Sequence, residues 1–439
     1  MKIKSTEKTA LLHAQILDGT AEMTPVSGKV LLIEGDTIAA ILSEDEWAQR
    51  ADRASYEPVD LSGQYVMPGL INMHVHLAGN GKPQKKQRDN EALVRLLTGN
   101  ALVRAIAYRV LRSFAQIELM SGVTTVRAVG GVQDFDTRIR DDVASGRYLG
   151  ARVLAANQGI SVPGGHMAGS VANKSHTVDE ALRQVDAAAA QKVDLIKLMI
   201  TGGVLDAKEK GVPGELKMAP EMVKAVCDKA HALGYKVAAH VESPDGVRVA
   251  LQNGVDSIEH GAKPDGEIME LFRSTGAFLC TTLSPALPYA LFDRSVSHAS
   301  EVEQYNGNVV FQGIIDCAKA ALENGIPVAL GNDVGCPYIT QYDFWREPLY
   351  FHQYIGVSNA FALHTATLGN ATLAGIADFT GSIAVGKKAE LTVTAENPLD
   401  DLHALRTPTH VFAHGKMIVA PKIRRNPVVD AELEKIRFL

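Results

Sequence analysis

The stretch DLIKLMI, residues 194–200, sets a lysine inside an apolar run of strand length. Consecutive Leu and Ile without polar alternation predict a β-strand covered on both faces. A lysine is rarely buried there unless it is paired, shifted in pKa or coordinated. Two questions follow: what sheet holds the strand, and what meets Lys197.

The sheet is legible in the neighbouring sequence. Between residues 65 and 335 one unit recurs, in which an amphipathic helix ends at a glycine or short turn and a compact apolar strand follows. IELMSGVTTVRAV (117–129), AHALGYKVAAHV (230–241), ALQNGVDSIEHG (250–261), LFRSTGAFLCTT (271–282) and ALENGIPVALGND (321–333) carry it. YVMPGLINMHVHL (65–77), GARVLAAN (150–157) and QKVDLIKLMI (191–200) complete a set of eight strands, each followed by enough chain for a helix. This alternation predicts an α/β fold with a parallel sheet, and eight units in about 270 residues fit a closed (β/α)8 TIM-like barrel. The alternative is an open doubly wound sheet, which is weakened because no GxGxxG follows the first strand.

The flanks differ. ALLHAQILDGT, GKVLLIEGDTIAAI and ASYEPVDLSGQYV at the start, and GSIAVGKKAELTVTAENP and PTHVFAHGKMIV at the end, read as short strands with Gly/Asp turns. They predict a small β-sandwich domain built from both termini, residues 1–65 and 380–439, around a barrel at 66–379. The basic stretch GKPQKKQRDN (81–90) is expected as a solvated loop in the first βα connection.

A chain of 439 residues, 46% hydrophobic and 21% charged, has a large core and is neither disordered nor membrane-spanning in composition. Its net charge of −6 offers no footprint for nucleic acid or anionic lipid. Cys227, Cys280, Cys317 and Cys336 form no CxxC pair and are expected as buried thiols in a reducing compartment. The first residues, MKIKSTEKTALLHAQILDGT, lack a secretory apolar core and cleavage site, so the expected location is cytoplasmic. The expected partner is a small-molecule substrate, with no nucleic acid or membrane and with a homo-oligomer as an open alternative.

Barrel chemistry is built at the carboxyl ends of the strands. The first strand ends in His74-Val75-His76, whose spacing puts both imidazoles on one side. The fourth carries Lys197, the fifth ends at His240, the sixth at His260 and the eighth at Asp333. Singly these have ordinary readings, as an incidental HxH, a hydrogen-bonded core histidine or a turn aspartate. Converging on one rim, imidazoles and a carboxylate are the ligand set of zinc and related divalent ions. An ammonium beside a dication would be repelled. Lys197 is therefore either displaced and paired with a carboxylate, or carbamylated by carbon dioxide into an anionic N6-carboxylysine that can bridge two metals.

The stretches VMPGLINMHVHL, GVTTVRAVGG, DLIKLMITGGV, VAAHVES, DSIEHGA, GNDVG and GSIAVGKKAELTVTAENPLDDL span nearly the whole chain. In them it resembles the amidohydrolase superfamily, and within it the prolidase-like and Xaa-Arg/Lys carboxypeptidase group together with ochratoxin-hydrolysing amidases. The resemblance implies two divalent ions, with zinc the expected metal. His74, His76 and Asp333 would hold one, His240 and His260 the other, and carboxylated Lys197 would bridge them. Two departures leave the ligands intact: Ala128 stands where relatives often have aspartate, and Asn332 where threonine or serine commonly precedes the final aspartate.

The expected enzyme is a metal-dependent amidohydrolase of amidase, dipeptidase or carboxypeptidase type. It would cleave a peptide or N-acyl amino acid bond by attack of a hydroxide shared between the metals. Asp333 would move the proton from water to the leaving amine. His166, in VPGGHMAG after the third strand, resembles a residue that contacts substrate or the tetrahedral oxyanion, against the alternative of an exposed loop histidine. Tyr338, Tyr342 and Arg346 are candidate substrate anchors, though Arg346 reads equally as a helix-surface residue. The rival readings are a cyclic amidohydrolase or deaminase acting on a heterocycle, against which the strand-four lysine argues, and a non-catalytic barrel scaffold, which would have lost ligands.

Overall fold

The computed structural model describes residues 1–84 and 89–436. The apolar runs form eight strands: β1 (Leu70–Val75), β2 (Val123–Ala128), β3 (Arg152–Ala155), β4 (Leu195–Met199), β5 (Lys236–Val241), β6 (Ser257–His260), β7 (Phe278–Thr281) and β8 (Val328–Leu330). Parallel ladders join β1 to β2 to β3, and β4 through to β8. Nearly every residue in them is buried, because helices cover one side and the barrel interior the other.

Two joints close the ring. Between β3 and β4 an extra strand, Gly159–Ser161, pairs with β4 at Ile160 and Leu198, and the Asp194 amide donates to the Ala155 carbonyl at 2.8 Å. Between β8 and β1, Val75 bridges Val334 in parallel. The Asp333 amide donates to the His74 carbonyl and the His76 amide to the Val334 carbonyl, both at 2.9 Å. The fold is thus the expected (β/α)8 barrel rather than an open sheet.

Asn332 has a structural role in this seam. The Asn72 side-chain amide donates to Asn332 Oδ1 at 2.7 Å, and the Asn332 backbone amide donates to Asn72 Oδ1 at 3.2 Å. A pair of amides therefore ties the first strand to the turn after the last.

The flanking strands form two sheets. One has the order Lys2–Ser5, Lys416–Val419, His410–Ala413, Leu391–Thr394, Tyr65–Pro68, Gln15–Ile16; the other runs Thr37–Ser43, Lys29–Glu34, Lys8–Leu12, Glu57–Asp60. Leu11, Leu31 and Ile33 from the second sheet share a core with Val66, Leu391 and Phe412 from the first, which makes a small sandwich. The strand Tyr65–Pro68 belongs to the sandwich and runs on through Gly69 into β1. The chain therefore enters the barrel without a linker.

Residues 85–88 of the basic stretch lie outside the described residues. Its last two positions are helical in function, since Asp89 caps the helix Asn90–Thr98 by accepting from the Ala92 amide. Among the described residues no helix is long and apolar enough to cross a membrane.

Gly331 marks a tight point of the closing seam. A Cβ there would lie 2.4 Å from His74 Cβ and 2.5 Å from the His74 nitrogen. Gly331→Ala is expected to part β8 from β1, costing about 1–3 kcal/mol in denaturant unfolding and weakening whatever His74 binds.

Candidate active site

The six side chains singled out by the sequence meet at the carboxyl rim. His74, Lys197, His240, His260 and Asp333 are buried, and His76 is partly so. Ring centroids lie 5.4 Å apart for His74 and His76, 4.9 Å for His74 and His260, and 4.6 Å for His240 and His260. Asp333 Oδ1 stands 3.5 Å from His74 Nε2 and 3.3 Å from His76 Nε2.

Hydrogen bonds fix which nitrogen of each ring faces inward. Nδ1 of His74 donates to Glu259 at 2.7 Å, Nδ1 of His76 to the Gly130 carbonyl at 2.7 Å, and Nε2 of His240 to the Gly202 carbonyl at 3.2 Å. Nδ1 of His260 is engaged by the Thr282 hydroxyl at 2.7 Å. The neutral rings of His74, His76 and His240 thus have their other nitrogen left as a lone pair, and His260 has one too where its Nδ1 donates to the hydroxyl. Burial holds all four pKa values below the ordinary imidazole range, with the Lys197 charge acting the same way, so the rings are neutral. The His74–Glu259 contact is accordingly a neutral N–H bonded to a carboxylate rather than an ion pair.

This arrangement sets acceptor against acceptor. Lone pairs on His74 and His76 point at Asp333 Oδ1, which is buried and receives no hydrogen bond. Nearby, Lys197 Nζ is buried and makes no hydrogen bond or ion pair among the described residues. Burial brings the lysine down to about 8, against the opposing charges of Glu259 and Asp333. The paired-lysine alternative therefore lacks its carboxylate. Ligand atoms of His74, His260 and Asp333 all lie within 4.8 Å of one another, and so do those of His240, Glu242 and His260. Such donor sets fit divalent cations, and cations between them would remove the repulsion.

Two of these residues owe their aim to the backbone. His260 (φ +70°) and Asp333 (φ +52°) are in the left-handed region, where non-glycine residues are held only by surrounding structure. A strand period of two would put Glu259 and His260 on opposite faces; the turn at His260 brings both inward.

His166 is not an exposed loop residue. Its ring stacks on His240 with centroids 4.0 Å apart and planes 4° off parallel. Nδ1 contacts Asp206 Oδ2 at 2.6 Å, and the same oxygen accepts from the Gly203 amide at 2.9 Å. Burial works against a charge on His166, but the Asp206 bond and the charges of Asp206, Glu242 and Asp333 outweigh it and raise its pKa.

The candidate anchors are placed otherwise. Tyr338 donates its hydroxyl to the Val296 carbonyl at 2.7 Å, and Tyr342 accepts from the Asn426 amide at 2.6 Å. Arg346 is buried, 4.5 Å over the Trp345 ring and 3.4 Å from Asp343, so it does not lie on a helix surface. Sequence reasoning missed Arg127, Glu259, Asp206 and Glu242. Glu242 had a visible signal, because His240-Val241-Glu242 repeats the spacing of His74-Val75-His76.

The amidohydrolase family model matches residues 65–418, which includes every barrel strand. The chain belongs to the amidohydrolase family. It is similar to a candidate prolidase from Bifidobacterium longum, with 34% identity over 98% of this chain and 99% of that one and a TM-score of 0.85. A Xaa-Pro dipeptidase crystallised with methionine in its active site is 27% identical, over 94% of this chain and all of that one, at a TM-score of 0.80. The ochratoxinase of Aspergillus niger is 24% identical over 96% of this chain and 89% of its own length. As a member of this family the chain is a hydrolytic enzyme.

The brace behind His74 is testable. Arg127 Nη2 donates to both Glu259 oxygens at 2.7 and 2.8 Å, and its Nε to the Met73 carbonyl at 2.7 Å. Glu259→Ala strands that guanidinium and frees the imidazole. The expected loss is about 3–5 kcal/mol in urea unfolding, and Arg127→Met combined with Glu259→Leu should recover part of it.

Proposed function

We propose that this amidohydrolase is a binuclear-metal enzyme that hydrolyses an amide bond of peptide or N-acyl amino acid type. The observation that carries the reading is Lys197, a buried amine without a partner amid inward-facing lone pairs. The names of the similar proteins, a prolidase and a Xaa-Pro dipeptidase, support the amide class. In this reading His74, His76 and Asp333 hold one ion, His240 and His260 a second, and Lys197 as N6-carboxylysine reaches both, with zinc the metal its ligand types suit best. Ions bound there supply Lewis acidity toward a carbonyl and a water that loses its proton near neutral pH. The sandwich expected over residues 1–65 and 380–439 runs on through Pro68 and supports the barrel, expected over 66–379, that follows.

The chain's own groups have separate tasks. A pKa of about 8 leaves part of Lys197 as free amine at neutral pH. That nitrogen bonds the carbon of carbon dioxide and releases a proton, giving the carbamate. Asp333 Oδ1, which has no donor of its own, accepts a proton from the attacking water and returns it to the departing amine nitrogen. His166, whose pKa the Asp206 bond raises, would in its protonated form offer Nε2–H to the carbonyl oxygen as negative charge gathers there.

Two substitutions test this. Asp333→Asn should keep much of the metal while kcat falls on the order of 10²–10⁴-fold, since an amide oxygen can ligate but cannot take the proton; near-normal turnover at full metal content would remove Asp333 from proton transfer. Lys197→Ala should drop metal content below the two equivalents per chain expected of the native protein. Added acetate, entering the vacated polar space, should restore part of the metal and activity in that variant but not in Asp333→Ala. Turnover confined to heterocycles, lactones or phosphoesters in a substrate screen would sink the amide assignment.

A further inference from the structure

Away from the rim, the two helices between β1 and β2 carry an apolar stripe on their outer face. They are α1 (Asn90–Thr98) and α2 (Ala101–Met120). Leu93, Leu96, Leu102, Ile106 and Val110 are exposed by 37%, 67%, 71%, 56% and 49%. Three other covering helices, Val178–Ala190, Pro244–Gln252 and Gly266–Thr275, expose no large apolar side chain at all. The stripe is thus particular to this place and not a general looseness of the surface.

These side chains are not waiting to pack on their own barrel. The opposite face of α2 already buries Ala107, Tyr108, Leu111 and Ala115, with the Tyr108 ring edge-on to Phe135 at 5.4 Å. Arg104 and Arg112 on its flanks are bonded to Asp134 at 2.6 Å and Asp142 at 3.3 Å. Lys174 donates to Glu91 at 2.6 Å and holds α1, and both helices are N-capped, by Asp89 and Asn100. Helices seated this firmly keep the stripe turned outward.

The stripe is complementary to itself. Leu102, Ile106 and Val110 are spaced by four residues and form one row, with Leu102 and Val110 about 6 Å to either side of Ile106 along the axis. Two rows of this kind interlock at a crossing of about −50°. A twofold axis at Ile106 sets Leu102 against the partner's Val110 and Val110 against the partner's Leu102, so the same residues serve both sides. The five exposed side chains offer on the order of 500 Å² per copy, most of the ~800 Å² that a standard interface takes from each partner. Exposed Ala101 and Ala105 and the stems of Arg95 and Arg109 supply the remainder.

Charge favours a second copy over a lipid surface. With Arg104 and Arg112 committed to aspartates, Arg95 and Arg109 are the exposed arginines of the two helices. Two cations on a chain of net charge −6 are a weak hold on an anionic bilayer. Arg109 falls beside the row and not in it, so a twofold pair puts the two guanidiniums at the solvated rim on opposite sides of the axis.

We propose that this face is the interface of a twofold homodimer, in which α2 pairs antiparallel with its counterpart around Ile106 and α1 extends the contact through Leu93 and Leu96. The assembly is independent of the reaction assigned above.

Light scattering and sedimentation velocity on the full chain test it. Wild type at micromolar concentration should have the mass of a dimer or of an even multiple. Ile106→Asp should at least halve that mass and weaken association on the order of 100-fold or more, with the urea midpoint unchanged. Cysteine variants read the register and stand in if Ile106→Asp does not fold. Ile106→Cys should oxidise to a covalent dimer, and mixed Leu102→Cys and Val110→Cys chains should cross-link to each other better than either does to itself. A monomeric wild type, or an assembly that Ile106→Asp leaves intact, would overturn the interface. Self-linking of Leu102→Cys above the mixed pair would overturn the antiparallel arrangement. Sedimentation of a monomeric wild type with vesicles of equal parts phosphatidylcholine and phosphatidylserine, lost in Ile106→Asp, would give the stripe to lipid and sink the proposal.

Discussion

The buried ion pair between Arg127 on β2 and Glu259 on β6 is the constraint on which the rim depends. It crosses the barrel interior, and its other bonds reach the Met73 carbonyl, the Ser257 hydroxyl and His74 Nδ1. Removing two charges from water is costly, and the cost is offset only when the remaining donors and acceptors are satisfied. Here Glu259 accepts from a guanidinium, a hydroxyl and an imidazole. The result is less a gain in stability than a fixed position for His74, whose ring cannot turn without breaking a charge-assisted hydrogen bond.

From that brace the protonation pattern of the rim follows. Desolvation opposes charge on every group that gains one by taking up a proton, so the imidazoles of His74, His76, His240 and His260 stay neutral and Lys197 falls to about 8. His166 is less buried and has the Asp206 carboxylate at 2.6 Å, and its pKa moves the other way. Five histidines within one small space thus divide into four whose pKa is lowered and one whose pKa is raised. His74 has a carboxylate at 2.7 Å as well, but its ring is more deeply buried and faces Arg127 and Lys197, so depth and neighbouring charge decide along with the partner.

The strands were legible because burial on both faces imposes uniformly apolar runs, and no tertiary information is needed to see those. The meeting of the six rim side chains was legible because parallel connectivity sends every strand's carboxyl end to the same side. What escaped depends on contacts remote in sequence or on backbone reversals. The role of Glu259 hinges on the left-handed turn at His260, which breaks the period-two rule. Tyr342 and Arg346 read as anchors in a loop, but the C-terminal segment folds back over them: Arg425 stacks 4.5 Å from the Tyr342 ring and lies 3.5 Å from Asp343, and the Asn426 amide caps the Tyr342 hydroxyl. No local pattern announces a contact over some eighty residues. The strand Gly159–Ser161 was likewise hidden, since three residues are too few to show a period.

Counting donors separates the carboxylates around the rim more clearly than their identities do. Glu259, with both oxygens engaged by Arg127 and further bonds from Ser257 and His74, has no capacity left and is architecture. Asp206 takes an imidazole N–H and a backbone N–H on one oxygen, which raises the pKa of His166. Asp333 Oδ1 has no donor although it is buried, and Glu242 has a single backbone amide. A buried carboxylate oxygen without a donor is costly to maintain, so the group either takes up a proton, as burial favours for Glu118 and Asp136, or is completed by a partner from outside the chain. By that count Glu259 is satisfied within the chain, whereas Asp333 Oδ1 is the buried rim oxygen that the chain itself leaves incomplete.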